Sequence, residues 1–250
     1  MKKLALVISV ALASSAVVAA PGPLPTVPNV SGVNITAAVD SYSLVQGAND
    51  NAALVLMDGG DWADVSIVQG VVPSGDKNRA VVDMTGSGDD NNVKIEQNRF
   101  DNRALVQAFG GSHHNDVEIL QNNDSRAWVL AAQGSDRNNV EILQEGSSNQ
   151  ARVAMRNSSD ENRVDIDQKG SNFIANVGMA GNSDDNEVYI LQKAGHGNSL
   201  AEVSLINADH NDNGNQFNGT SGIYISQTTG DYAGVFISNA DHNAVYIKQN

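Results

Sequence analysis

The sequence predicts an all-β fold, a two-sheet parallel β-solenoid of cross-β rungs, each strand, turn and strand, with a period of about 23 residues. Three observations predict it. A seven-residue phrase returns at near-constant spacing. Apolar and polar residues alternate inside it with a period of two. Gly, Asn, Asp and Ser fill the intervals between its copies.

Taken in order along the chain, the first segment stands apart. Lys2 and Lys3 precede an apolar run from Leu4 to Ala20 that closes on small residues. This pattern predicts a secretory signal peptide over residues 1–19, cut after Ala19, and the run is short for a membrane anchor. Residues 20–39 form a Pro-containing leader, and residues 40–250 form the repeat domain. Without Lys2 and Lys3 the chain holds 13 basic and 29 acidic residues, a charge of −16. No cysteine is present, which excludes a disulfide scaffold and any thiolate metal or redox site. Strong acidity also argues against nucleic acid as a partner.

The first phrase reads Asn-x-Val-x-Ile-x-Gln. It stands at Asn91–Gln97, Asn115–Gln121, Asn138–Gln144, Asn162–Gln168, Asn186–Gln192 and Asn243–Gln249. Degenerate copies are Asp40–Gln46, Ala63–Gln69 and Ser221–Gln227. Successive Gln residues are 23, 28, 24, 23, 24, 24, 35 and 22 apart. A second phrase, Asn-x-Ala-x-Val, falls between the first ones at Asn51, Asn78, Asn102 and Asn149, with looser copies at Ser125, Phe173, Ser199 and Asp231. Eight complete units then run from Asp40 to Ile237, and a ninth stops halfway.

Strict alternation predicts strands with one buried face. Val, Ile and Ala take the inward positions; Lys94, Glu96, Arg103, Glu118, Arg126, Glu141, Arg152, Asp165 and Asp167 fall on the solvent face. One two-stranded unit is not stable alone, so the units stack and bury each other's inward faces. The thin core suits a chain with 5% aromatic residues and 43 side-chain amides.

Those amides share the parity of Val and Ile. Asn opens each phrase and Gln closes the first, so both point inward at the margins of the apolar strip. A buried amide needs its donor and acceptor sides used, and stacking supplies the same amide above and below. The predicted ladder residues are Gln46, Gln69, Gln97, Gln121, Gln144, Gln168, Gln192, Gln227 and Gln249, with Asn51, Asn78, Asn91, Asn102, Asn115, Asn138, Asn149, Asn162, Asn186 and Asn243.

The segment Gln144-x-Gly146-x-x-Asn149-x-Ala151 resembles the core phrase of the curlin repeat. The resemblance extends from about Asp40 to Asn250. Asn replaces the usual leading Ser, the family's second-strand Gln survives only as Gln133, and the leader is not rich in Gly and Asn. The resemblance implies a secreted subunit of extracellular curli-like amyloid fibres, serving biofilm matrix and adhesion. It implies as partners further copies of the chain, a related curli subunit, an outer-membrane secretion channel and periplasmic accessory proteins. The terminal half-unit resembles a nucleator-type subunit, so bulk and nucleator roles both stand.

Irregularities and exclusions complete the reading. Asn207-Ala-Asp-His-Asn211 recurs as Asn239-Ala-Asp-His-Asn243, and Asp212–Thr220 reads as a loop inserted after the first copy. No catalytic or phosphate-binding motif appears, and no cofactor is implied. His113, His114, His196, His210 and His242 fall in turns and read as solvated residues rather than metal ligands. Acidic turns such as Asp58-Gly-Gly-Asp61 and Asp89-Asp90 lack the glycine-rich nonapeptide of calcium-binding rolls. A monomeric binding solenoid would need regular outward rows, and an enzyme would need carboxylates clustered on adjacent rungs.

Overall fold

The structure is a computed structural model, and it describes residues 51–58, 62–70, 77–86, 88–193, 198–211, 222–228 and 230–250. The signal peptide, the leader and the phrase ending in Gln46 lie outside the described residues. So do His196, the Asp58–Asp61 turn beyond Asp58, and the insertion Asp212–Thr220.

Sixteen strands alternate between two sheets. The first four rungs are β1 (Ala52–Asp58) with β2 (Asp64–Gln69), β3 (Arg79–Thr85) with β4 (Asn92–Asn98), β5 (Arg103–Phe109) with β6 (Asp116–Asn122), and β7 (Arg126–Ala132) with β8 (Asn139–Ser147). The next four are β9 (Gln150–Arg156) with β10 (Arg163–Ser171), β11 (Ile174–Ala180) with β12 (Glu187–Lys193), β13 (Leu200–Ile206) with β14 (Ile223–Gln227), and β15 (Tyr232–Ser238) with β16 (Val245–Gln249). Odd strands form one eight-stranded sheet and even strands the other; every pairing is parallel and joins consecutive rungs. At a rung spacing of about 4.8 Å the stack is roughly 35 Å tall.

Register follows the phrases. Val140, Val164 and Val188 stand above one another, as do Ile142, Ile166 and Ile190, and Gln144, Gln168 and Gln192. In the first sheet Ala151, Ala175 and Ala201 are aligned, as are Val153, Val177 and Val203. These inward residues of both sheets form one continuous apolar core from Ala80 to Ile237. β-Branched residues suit the pleated surface, and each buried Val or Ile contributes about 1.5–3 kcal/mol. A one-residue slip would turn the whole apolar set outward, which fixes the register.

The long interval between Gln192 and Gln227 leaves the register intact. Val188 pairs with Ile223 and Gln192 with Gln227, so the winding is in phase on both sides of residues 212–221.

The second sheet alternates buried and accessible residues, whereas the first sheet departs from the expected pattern. Its outward positions are covered too: Val81 is 0%, Leu105 1% and Trp128 4% exposed. Arg152, expected on the solvent face, is buried, and burial lowers its pKa. Arg103 and Arg126 are half-buried. The outward residues Leu54, Val81, Leu105, Trp128, Leu130 and Ala154 belong to a second apolar cluster. Alternation in the first sheet therefore separates two buried faces, and apolar residues at alternate outward positions were the sign of it.

Candidate functional site: stacked amide columns and two open edges

Gln closes each strand of the second sheet and turns its side chain into the interior. Gln97, Gln121, Gln144, Gln168, Gln192 and Gln227 are fully buried. Gln97 Nε2 donates to Gln121 Oε1 at 3.0 Å, and Gln121 Nε2 to Gln144 Oε1 at 2.9 Å. The sequence continues through Gln168, Gln192 and Gln227 to Gln249, and begins at Gln69. The second amide hydrogen goes to a backbone carbonyl opposite, as from Gln121 to Arg103 O at 3.1 Å. Every bond in this column points the same way, from the earlier rung to the later one.

The Asn residues opening the same strands make a second column of opposite polarity. Asn115 donates both its backbone N–H, at 3.1 Å, and Nδ2, at 3.0 Å, to Asn91 Oδ1. Asn138, Asn162 and Asn186 repeat this arrangement upward. The next member is Asn211, not the expected Ser221. Asn211 Nδ2 reaches Asn186 Oδ1 at 2.7 Å, and Asn211 Oδ1 accepts from the Asn243 backbone at 2.7 Å. The signal was the duplicated Asn207–Asn211 turn, which already placed Asn211 in the role of Asn243.

The first-sheet amides form only short runs. Asn78 and Asn102 bond side chain to side chain at 3.0 Å, and Asn51 Oδ1 accepts from the Asn78 backbone at 3.1 Å. The run stops at Ser125. Asn149 Nδ2 instead bonds Gly170 O at 2.9 Å, and the buried Phe173 stands above it. Gln133 lies at a turn with φ 62° and is exposed.

Two further columns at the corner before each Asn escaped the sequence reading. Ser112, Ser135, Ser159 and Ser183 are fully buried. Each donates its hydroxyl to the carbonyl three residues back, at 2.8–2.9 Å. Next to them Asp136, Asp160, Asp184, Asp209 and Asp241 each accept a backbone N–H from the rung below, at 2.7–3.1 Å. Desolvation, and then repulsion from Asp160, Asp209 and Asp185, raises the pKa of Asp184. The following residue is left-handed on every rung, from Trp62 through His114, Arg137 and Glu161 to His242, with φ 53–62°. Asp and Ser are common at turns, but only the stacking shows which of their many copies align.

Outward columns on the second sheet are electrostatically paired and then aromatic. Lys94 Nζ donates to Glu118 Oε1 at 2.6 Å, and this contact raises its pKa. Asp165 is lifted to about 6 by burial first, and then by Glu141. Above it Tyr189, Tyr224 and Tyr246 stack with ring centroids 5.1 and 5.2 Å apart. Burial, with the nearby Asp165 and Asp167, pushes Tyr189 up to about 12. Among the described residues no cluster of three His, Asp or Glu side chains is arranged to hold a metal ion.

Among the described residues both ends of the stack are open. In β1 the inward Val55 and Met57 are 38% and 55% exposed. At the other end β16 is paired on one side only, with β14, and its Val245 and Ile247 are half-buried. Among the described residues, nothing caps either edge with paired strands.

These features define a β-solenoid repeat protein whose outermost described rungs are paired on one side only. Residues 136–170 match the family model of the curlin associated repeat, a stretch that covers β8, β9 and most of β10. No curated protein and no solved structure matches the chain.

Proposed function

We propose that this chain is a secreted structural subunit that assembles head to tail into extracellular curli-like amyloid fibres, and that it is not an enzyme. The observation that carries the reading is the polarity of the Gln column. Among the described residues its lower end presents Gln69 Oε1 and its upper end Gln249 Nε2, because every bond between them runs in one sense. A second copy placed with its β1 over β15 and its β2 over β16 continues that sense. Ala53, Val55 and Met57 then meet Ala233, Val235 and Ile237, and Ile67 meets Ile247. Both exposed edges are paired and both apolar ends are buried in one step. Head-to-head joining opposes two acceptors or two donors.

Export through an outer-membrane channel, with periplasmic accessory proteins and a related subunit, and a role in matrix and adhesion, belong to the same reading. They rest on the curlin repeat and on the basic, then apolar, first residues. Size-exclusion and amyloid-dye kinetics on the mature chain test the assembly. The full mature chain is expected to polymerise with a lag and to give a meridional reflection near ~4.8 Å. Removal of residues 239–250 strips β16, and elongation should then stop. Unchanged elongation after that truncation, or a mature chain that stays monomeric at high concentration, overturns the proposal.

A further inference from the structure

We propose that the outer face of the first sheet is a docking surface for this chain's own N-terminal leader, residues 21–39. The two outer faces of the solenoid differ sharply. On the second sheet Lys94 and Glu118 have side chains 53% and 48% exposed. On the first sheet the residues Val81, Leu105 and Trp128 are essentially sealed, although they point away from the core. The Trp128 indole N–H is satisfied on the face itself, by Gln107 Oε1 at 2.9 Å. The ring is therefore free to sit beneath an apolar cover. A flat sheet face cannot bury itself, and among the described residues the cluster on this face holds only residues of the first sheet.

Chain length selects the cover. The internal intervals outside the described residues are short, the longest being residues 212–221. Ten residues anchored at both ends reach out and back at most about 17 Å. That interval leaves from the seventh rung, about 19 Å from Leu105 on the third. The leader precedes the first strand of the first sheet, β1, which carries the apolar end of the face. The face itself grades from Leu54, Val81, Leu105 and Trp128 to Arg152, Asn176 and Glu202 as the rungs rise.

The chemistry of the segment matches. Pro21, Pro23, Pro25 and Pro28 cannot donate to a ladder and favour a polyproline II path. Leu24, Val27, Val30 and Val33 recur every third residue, which places them on one side of such a helix. Three residues rise about 9.3 Å, and two rungs rise about 9.6 Å. One apolar side chain thus falls in step with every second rung across the apolar part of the face.

The test uses the mature chain with Trp62→Phe, which leaves Trp128 as its single tryptophan. Acrylamide quenching is measured on dilute monomer. Trp128 is expected to be shielded, and Val27→Asp with Val30→Asp to raise the quenching constant several-fold while circular dichroism stays unchanged. Because the chain has no cysteine, Val30→Cys with Leu105→Cys gives a second readout, an intramolecular disulfide on mild oxidation. A Trp128 already open in the parent, quenching unmoved by the two aspartates, or a disulfide that forms only between copies overturns the proposal. Shielding that appears only on association assigns the face to a second copy and also overturns it.

Discussion

At the scale of single residues the interior is governed by identity between rungs. Gln168 accepts from Gln144 and donates to Gln192 and to Gln150 O, all inside the core. Gln168→Ala strands the Gln144 donor and opens a cavity, so it should cost about 2–4 kcal/mol in urea unfolding of the monomer. Gln249→Ala, at the margin, should cost less than about 1 kcal/mol and act mainly on elongation. Gly146 has φ 119°, and a Cβ there would collide with the Gly170 carbonyl oxygen. Gly146→Ala should therefore destabilise by at least about 2 kcal/mol. Asp165 gives a pH signature. Between its ordinary value of 3.8 and its folded value of about 6, the native chain holds a proton that the unfolded chain has lost. Its contribution thus favours folding at low pH and fades as pH rises through that window. Asp165→Asn should raise the thermal midpoint at pH 7 by a few degrees and remove that part of the pH dependence, as followed by circular dichroism.

At the scale of elements, sixteen strands were legible because period-two alternation and Gly- or Asn-rich turns are local signals, and register follows from repetition. The inward parity of Asn and Gln could be read in the same way. One partner of each, the same amide on the next rung, was legible too, but the other partner was not. The second hydrogen of each Gln goes to a carbonyl of the opposite sheet, and that pairing depends on how the two sheets face each other. Asn211 was hidden because an insertion separates it from its strand. The Ser and Asp columns recur with the repeat, Ser112 to Ser183 at spacings of 23–24, but Ser and Asp are common in any turn for local reasons, which hid their alignment. The double burial of the first sheet is obscured in the sequence because a charged residue, Arg152, shares the outward column of Leu105 and Trp128. The aromatic stack on β12, β14 and β16 belongs here too. Tyr224 touches both neighbours, so Tyr224→Ala should loosen both contacts and cost about 1–2 kcal/mol, while Tyr246→Ala at the open end should cost about half as much.

At the scale of the whole molecule, short-range order is favourable and long-range charge is not. In the proposed fibre, the −16 charge of the chain without residues 1–19 would act on every subunit that approaches the growing end. Raising the salt from about 10 to 150 mM shortens the screening length from roughly 30 to 8 Å and should speed elongation without altering the dissolved monomer's secondary structure. Seeded growth measured by dye binding would read it. The interval between Asn211 and Gly222 has a separate consequence. The winding resumes in phase across it, so the fold is indifferent to what that interval contains. A guest peptide grafted there would leave the scaffold unchanged and would be presented once per subunit, along one flank of the filament, at a pitch of about 38 Å set by eight windings.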